Sequence, residues 1–232
     1  MKIFAKISWL FATLIIVVSL ATMIFTFYVF PRPYSRKLSA WIIRLGIFFS
    51  ADVKGKEDPE AKMFLVNHQS DIDIVIMETV SKRDITWVAK KELFDMPFFG
   101  LALKLAQDIA VERESKTSLI KLLRDVKKNL KTNRVITMFP EGTRSPKETM
   151  LPFKSGAKVV ADTYSLRVQP VVIIQSAKCY NTKEFYYKPS KIKVVFMESF
   201  VADKNDDEWL KNLRLKMQKV YDDELANDSG NR

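Results

Sequence analysis

The sequence is poor in the residues from which most catalytic and metal sites are built. Its 232 residues include one histidine, His68, and one cysteine, Cys179. A lone cysteine excludes an intrachain disulfide and fits a reducing compartment. One His and one Cys also argue against a zinc site of the usual His/Cys type; no metal site is expected. Only six glycines occur. None falls in G-x-x-x-x-G-K-[ST] or G-x-G-x-x-G, so a nucleotide P-loop and a dinucleotide fingerprint are both missing. No G-x-S-x-G elbow supports a hydrolase serine, and no cofactor is called for. Acid is absent from residues 34–49, and charge of either sign from 7–30. No internal repeat or low-complexity tract is evident.

What remains is basic and partly very apolar. The formal charge is +11 and the sequence pI about 9.6. Residues 203–232 hold eight acids and six bases, so residues 1–202 carry the whole surplus. Such a balance points to an anionic partner: phosphate head groups, a membrane surface or nucleic acid. No nucleic-acid motif accompanies it.

Residues 7–30 are 24 in number, with no charge and no proline. A bilayer is spanned by about 20 apolar residues. The run exceeds a signal peptide's apolar core and no small-residue cleavage site follows, so it reads as a retained membrane helix. Pro31 and Pro33 end it. Residues 34–49 then place Leu38, Trp41, Ile42, Leu45 and Phe49 at helical spacing among Arg36, Lys37 and Arg44, just after Arg32. A basic, aromatic amphipathic helix reads as lying in a membrane interface; packing on the globular domain is the other reading. The bases follow the apolar run, which by the positive-inside rule leaves the rest of the chain in the cytoplasm. A re-entrant helix pair with both ends on one side has the same consequence.

Beyond residue 51, strand patterns at 62–66, 85–89, 108–111, 135–139, 168–174 and 192–197 alternate with helix patterns at 73–80, 116–130, 154–164 and 208–225. This alternation predicts an α/β domain: a largely parallel, mixed sheet flanked by helices, preceded by the membrane helix and the interfacial amphipathic helix. The division is 1–50 for the two N-terminal helices, 51–226 for the domain, and 227–232 for a disordered tail. Ligands of such sheets sit outside the carboxyl ends of the strands.

At one of those ends lies Asn67-His68-Gln69-Ser70-Asp71-Ile72-Asp73. His68 is the natural proton carrier near neutral pH. Five residues of helix turn through roughly 500°, so His68 and Asp73 share no helical face. They meet if His68 lies in the loop and Asp73 in the first turn of the following helix, capped by Ser70 or Asp71. The carboxylate would then hold one ring nitrogen and leave the other as a base. A histidine that merely caps the helix is the plainer reading.

Phe139-Pro140-Glu141-Gly142-Thr143-Arg144-Ser145 follows another strand. Gly142 permits a positive φ and close backbone approach to a ligand. Arg144 offers a planar fork for phosphate oxygens, unless it pairs with Glu141. Val111-Glu112-Arg113-Glu114 and Lys90-Lys91-Glu92 end two further strand patterns. Arg113 and Lys90 are candidate cations there, or ordinary members of surface pairs and a solvated helix start.

These motifs carry a resemblance. The chain resembles the glycerolipid acyltransferases, most closely the bacterial 1-acyl-glycerol-3-phosphate (lysophosphatidic acid) acyltransferases. Asn67, His68 and Asp73 match the family's N-H-x-x-x-x-D. Residues 139–145 match its F-P-E-G-T-R-S throughout. Further likeness lies at 89–93, 97–100 and 151–157, and the resemblance covers about residues 50–200. Two departures stand out. The second motif ends Val111-Glu112-Arg113 where the family has Ile-Asp-Arg. In the fourth only Pro170 matches, with Arg167 and Gln169 at positions normally apolar or proline.

The resemblance implies acyl transfer from acyl-ACP or acyl-CoA to the sn-2 hydroxyl of lysophosphatidic acid, giving phosphatidic acid; another lysophospholipid or acyl acceptor is the alternative. It assigns His68 as general base and Asp73 as its orienting carboxylate. Glu141, Gly142, Thr143, Arg144, Arg113 and Lys90 become acceptor-binding residues. It implies residence at a bacterial inner membrane, with the catalytic domain on the cytoplasmic side. A non-catalytic binder of anionic lipid would use the same anchor and arginines but has no need of the His–Asp pair.

Overall fold

The computed structural model describes residues 2–112, 116–145 and 147–229. In chain order the elements are α1 (Lys2–Thr26), α2 (Arg32–Gly46), β1 (Ser50–Lys54), β2 (Met63–Val66), α3 (Ile72–Val80), β3 (Ile85–Lys90), α4 (Lys91–Phe94) and α5 (Phe99–Leu105). There follow β4 (Ile109–Val111), α6 (Lys116–Leu130), β5 (Val135–Met138), α7 (Ser155–Thr163) and β6 (Arg167–Ile174). A 3-10 turn (Ser176–Lys178) leads to the short strands β7 (Tyr180–Asn181) and β8 (Tyr186–Tyr187), then β9 (Lys191–Phe196), β10 (Phe200–Val201) and α8 (Trp209–Ser229).

The main sheet runs β1-β9-β6-β2-β5-β3-β4, with β10 paired to β6. Strands β6, β2, β5, β3 and β4 are mutually parallel. The β9 strand returns antiparallel to β6 and pairs parallel with β1. The sheet is therefore mixed but mostly parallel, and helices cover both faces. Alternation along β2 makes the division plain. Phe64 and Val66 enter one buried cluster with Ile43 and Ile47 of α2 and Ile72 and Ile76 of α3. Met63 and Leu65 enter the other with Leu122 and Val126 of α6, Val160 of α7 and Leu213 and Met217 of α8. Because both faces are covered, the central strands are apolar on both sides for most of their length.

The parallel strands end at one edge of the sheet. That edge receives the loops after β2, β5, β3 and β4, which carry the motifs singled out above.

The two N-terminal helices form an antiparallel pair against this domain. Ser19 of α1 bonds Ser39 of α2 through side chain and backbone. A Cβ on Gly46 would lie 2.7 Å from the Ile15 side chain, so a larger residue there would force Ile15 to shift. Ala12, Ile43, Ile47 and Phe49 are buried in the same cluster as β2 and α3. The outward face is apolar: Leu10, Leu14, Val17 and Phe25 of α1, and Tyr34, Leu38, Trp41 and Leu45 of α2, are exposed. Lys6–Thr26 is long and apolar enough to cross a membrane, which fits membrane association.

Three bases of α2, Arg32, Arg36 and Lys37, point the other way. Arg32 bonds Asp84 and Gln107. Arg36 is buried between Glu78 and Asp108, and Lys37 donates to the Ser81 carbonyl. Arg44 lies over the Trp41 ring, 4.5 Å from its centroid. An exposed apolar row and an inward basic row thus share one helix. Helix α8 continues to Ser229, into the segment expected as a tail.

Candidate active site

The loop after β2 is fixed before any ligand enters. Asn67 extends the strand pairing with its side chain: Nδ2 donates to the Ile173 carbonyl (2.9 Å) and Oδ1 accepts the Ile173 N–H (2.7 Å). His68 lies in the loop, Asp73 in the first turn of α3. Nδ1–H of His68 donates to Oδ2 of Asp73 at 2.8 Å. The same oxygen accepts the backbone N–H groups of Gln69 (2.7 Å) and Ser70 (2.9 Å). Asp73 is fully buried and His68 retains 15% of its side-chain exposure. With Nδ1 committed, Nε2 is the ring nitrogen left for proton exchange.

Of the two expected caps, Ser70 is the one used: its hydroxyl oxygen accepts the Ile72 N–H at 3.4 Å. Asp71 occupies the N-cap position without a side-chain capping bond. Its carboxylate instead pairs with Arg144 and accepts from Thr182. Ser70 donates its hydroxyl to the Tyr180 carbonyl. The N–H groups of Gln69 and Ser70 go to Asp73, which both ties the loop to the helix and holds the imidazole.

The imidazole also has a packing partner. Phe139 stacks on the His68 ring at 3.9 Å with planes 10° apart, and Trp87 stacks on Phe139 at 4.9 Å. Trp87 Nε1–H donates to Glu78, the carboxylate held by Arg36. A buried ladder therefore runs from α2 to the face of the histidine.

The turn after β5 is locked onto this loop. Gly142 takes φ +71°, the left-handed conformation that favours glycine. Glu141 is buried, and both its oxygens are taken: Oε1 accepts the His68 N–H (2.8 Å) and Oε2 the Leu151 N–H (2.7 Å). Burial raises its pKa above the ordinary carboxylate value. Ser145 N–H donates to the His68 carbonyl at 2.8 Å. The backbone of His68 is thus held on both sides by one turn. Glu141 does not pair with Arg144.

Arg144 reaches Asp71 and the Thr182 hydroxyl, the latter at 2.7 Å. Thr143 is exposed beside it. The structure thus brings His68, Asp73, Glu141, Gly142, Thr143 and Arg144 to one edge. Lys90 ends β3 on the far side of β5 and is paired with Glu92 at 2.9 Å. Arg113 lies outside the described residues; its neighbour Glu112 pairs with Lys91.

Sequence reasoning missed Phe139 as a ring support, although it opens the motif, and Asp71 as the partner of Arg144. It also missed the β7–β8 hairpin, which brings Thr182 to the site. Two-residue strands leave no periodic signal.

Comparison with known proteins places the chain in a family. The profile of the family described as Acyltransferase matches residues 51–174. A protein named 1-acyl-sn-glycerol-3-phosphate acyltransferase from Helicobacter pylori is 40% identical over 168 residues, 72% of this chain and 71% of its own. One of the same name from Escherichia coli is 29% identical over 149 residues, 62% of this chain and 61% of its own. The crystal structure of the 1-acyl-sn-glycerophosphate (LPA) acyltransferase PlsC from Thermotoga maritima superposes with a TM-score of 0.76. The match covers 99% of this chain and 98% of that one at 21% identity, a likeness of fold.

Proposed function

This chain belongs to the acyltransferase family, and on that premise we propose that it acylates the sn-2 hydroxyl of 1-acyl-glycerol-3-phosphate, making phosphatidic acid. The donor is a thioester, acyl-ACP or acyl-CoA. The observation that carries the reading is the 2.8 Å bond between His68 Nδ1 and the buried Asp73 carboxylate. Nε2 takes the proton of the acceptor hydroxyl as its oxygen attacks the thioester carbonyl. Asp73 balances the imidazolium that forms. The tetrahedral intermediate then collapses with loss of the thiolate, which receives the proton from Nε2. No covalent acyl-enzyme is needed.

The acceptor's phosphate is held by Arg144, whose fork suits phosphomonoester oxygens, with Thr143 and the Gly142 backbone beside it. On the family pattern Arg113 is a second cation for the phosphate, whereas Lys90 is already paired with Glu92. Glu141 serves indirectly, through the backbone of His68. The relatives' names favour lysophosphatidic acid as acceptor. The exposed apolar faces of α1 and α2 lie in the lipid, next to the domain, which gives an amphiphilic acceptor a short path to the site. The domain sits on the cytoplasmic side, in accord with the basic flank after α1.

The test is direct. Purified protein is incubated with labelled acyl-ACP and acyl-CoA against a panel of lysolipids, and products are identified by mass. Phosphatidic acid is expected from lysophosphatidic acid. His68→Ala should lower turnover by about 100-fold or more, the usual contribution of a general base. Undiminished transfer by that variant would overturn the assignment.

A further inference from the structure

We infer that Thr182 is an acceptor-binding residue and that Asp71 is an internal stand-in for the acceptor's phosphate. The inference rests on the reading of Arg144 as the phosphate ligand. Three groups form a closed triangle at the site edge. The Arg144 guanidinium donates to the Asp71 carboxylate and to the Thr182 hydroxyl oxygen. The Thr182 hydroxyl donates its own hydrogen to the same Asp71 oxygen at 2.8 Å. An anionic oxygen thus sits where one guanidinium N–H and one hydroxyl converge. A phosphate oxygen has the same charge and the same acceptor geometry.

Asp71 can leave that position. Its side chain is 46% exposed, and that of Arg144 30%. Ion pairs this open to water are weak and readily exchanged. Thr182 is held more firmly. Its hairpin is pinned at both strands: the Tyr180 hydroxyl bonds Thr13 of α1 at 2.9 Å, and Tyr187 donates to the Ile47 carbonyl at 2.7 Å. Trp9 of α1 stacks on Tyr180 and meets Phe185 edge-on. When the acceptor arrives, its phosphate displaces Asp71 and is gripped by Arg144 and Thr182 together. The carboxylate turns to water.

A competitor occupying part of the protein lowers apparent affinity by the fraction it occupies. Asp71 and Thr182 therefore act in opposite directions on the same ligand. Asp71→Asn keeps the N-cap shape and removes the competing charge. It should lower the Michaelis constant for lysophosphatidic acid about threefold or more. Thr182→Val removes the hydroxyl and should raise it about tenfold, in line with loss of a hydrogen bond to a charged group. In both, turnover at saturating acceptor should stay within about twofold, since neither residue touches His68.

The assay measures kcat and KM at fixed surface concentration of acceptor in mixed micelles, with Arg144→Ala in parallel. If Arg144→Ala leaves the acceptor KM unchanged, the underlying reading of the phosphate site fails. If Arg144→Ala raises KM while the other two variants leave it unchanged, or raise it together, the present inference alone fails. A residue that merely shapes the loop would not lower KM when altered, so the opposed signs separate binding from scaffolding.

Discussion

Replacing Asp73 by asparagine isolates the charge behind His68. The side-chain oxygen of asparagine can take the place of Oδ2 and still accept from His68 Nδ1 and from the Gln69 and Ser70 amides. The flipped amide would set its NH2 against those three donors, so the tautomer of His68 is preserved. The new NH2 falls where Oδ1 now lies, buried and without a hydrogen-bond partner. Leaving donors unpaired there costs about 1–3 kcal/mol of stability, and rates must be referred to folded protein. The catalytic loss is larger. Unit charges about 4 Å apart at an effective dielectric of about 20 attract by about 4 kcal/mol. That stabilisation of the imidazolium is lost in the transition state only. Each 1.36 kcal/mol is about tenfold in rate, so kcat for Asp73→Asn should fall by about a thousandfold. The acceptor and donor KM should stay within about threefold. Initial rates of product formation from a labelled acyl thioester at saturating acceptor provide the measurement. A loss of less than tenfold would mean that no imidazolium forms in the rate-limiting step, and the general-base mechanism would be refuted.

Three further outcomes are expected. Glu141→Gln keeps one acceptor and sets an NH2 against the other backbone N–H, which should lower stability by about 2–3 kcal/mol in thermal or denaturant unfolding. Because burial raises the Glu141 pKa, its ionisation costs stability progressively as pH rises from the ordinary carboxylate value through the raised one. Wild type should therefore gain on Glu141→Gln as pH falls toward the ordinary carboxylate range, and a constant difference from pH 7 to pH 4 would contradict this. Cys179 is fully buried and its thiol is pushed up to about 12 by burial. Native protein should resist maleimide labelling at pH 7, and Cys179→Ala should retain activity within about twofold; rapid inactivation by the reagent would show the thiol to be accessible. In that cysteine-free background, a spin label attached through Leu45→Cys should collide more often with oxygen than with an aqueous nickel complex in vesicles, and the reverse ratio would remove α2 from the lipid.

Much of the fold was legible because the central strands are buried on both faces. The β-branched run at 168–174 reads as a strand on that ground, and β6 occupies Arg167–Ile174. Edge strands gave no such signal. Ser50–Lys54 is mixed in character and half exposed along its length, so the sheet gained an edge the pattern does not announce. The antiparallel course of β9 was equally hidden, since side-chain alternation is the same for either direction. Spacing and helix geometry allowed the pairing of His68 with Asp73 but left a merely capping histidine open, and the family resemblance was what favoured the pair. Its support by Phe139 and Trp87 did not, because contacts between strand ends depend on sheet order. The bases of α2 show the same limit: composition located them, but only packing shows that Arg36 serves Glu78 and Asp108.

The departures from the family pattern can be placed by the same reasoning. Arg167 and Gln169 open β6, and the parallel strands carry their loops at its other end. Arg167 pairs with Asp58 at 2.6 Å. The Gln169 amide accepts from the Asp58 N–H and donates to the carbonyls of Lys56 and Met197. Hydrogen bonds from Ser199 and Arg167 hold the Asp58 carboxyl down at about 2. All of these groups fasten the segment between β1 and β2 to the edge of the sheet remote from His68. Substituting them should change stability before it changes the preferred acceptor. The groups proposed above to meet the head group lie at the opposite edge: Asp71, between His68 and Asp73, and Thr182, on a hairpin that helix α1 holds in place.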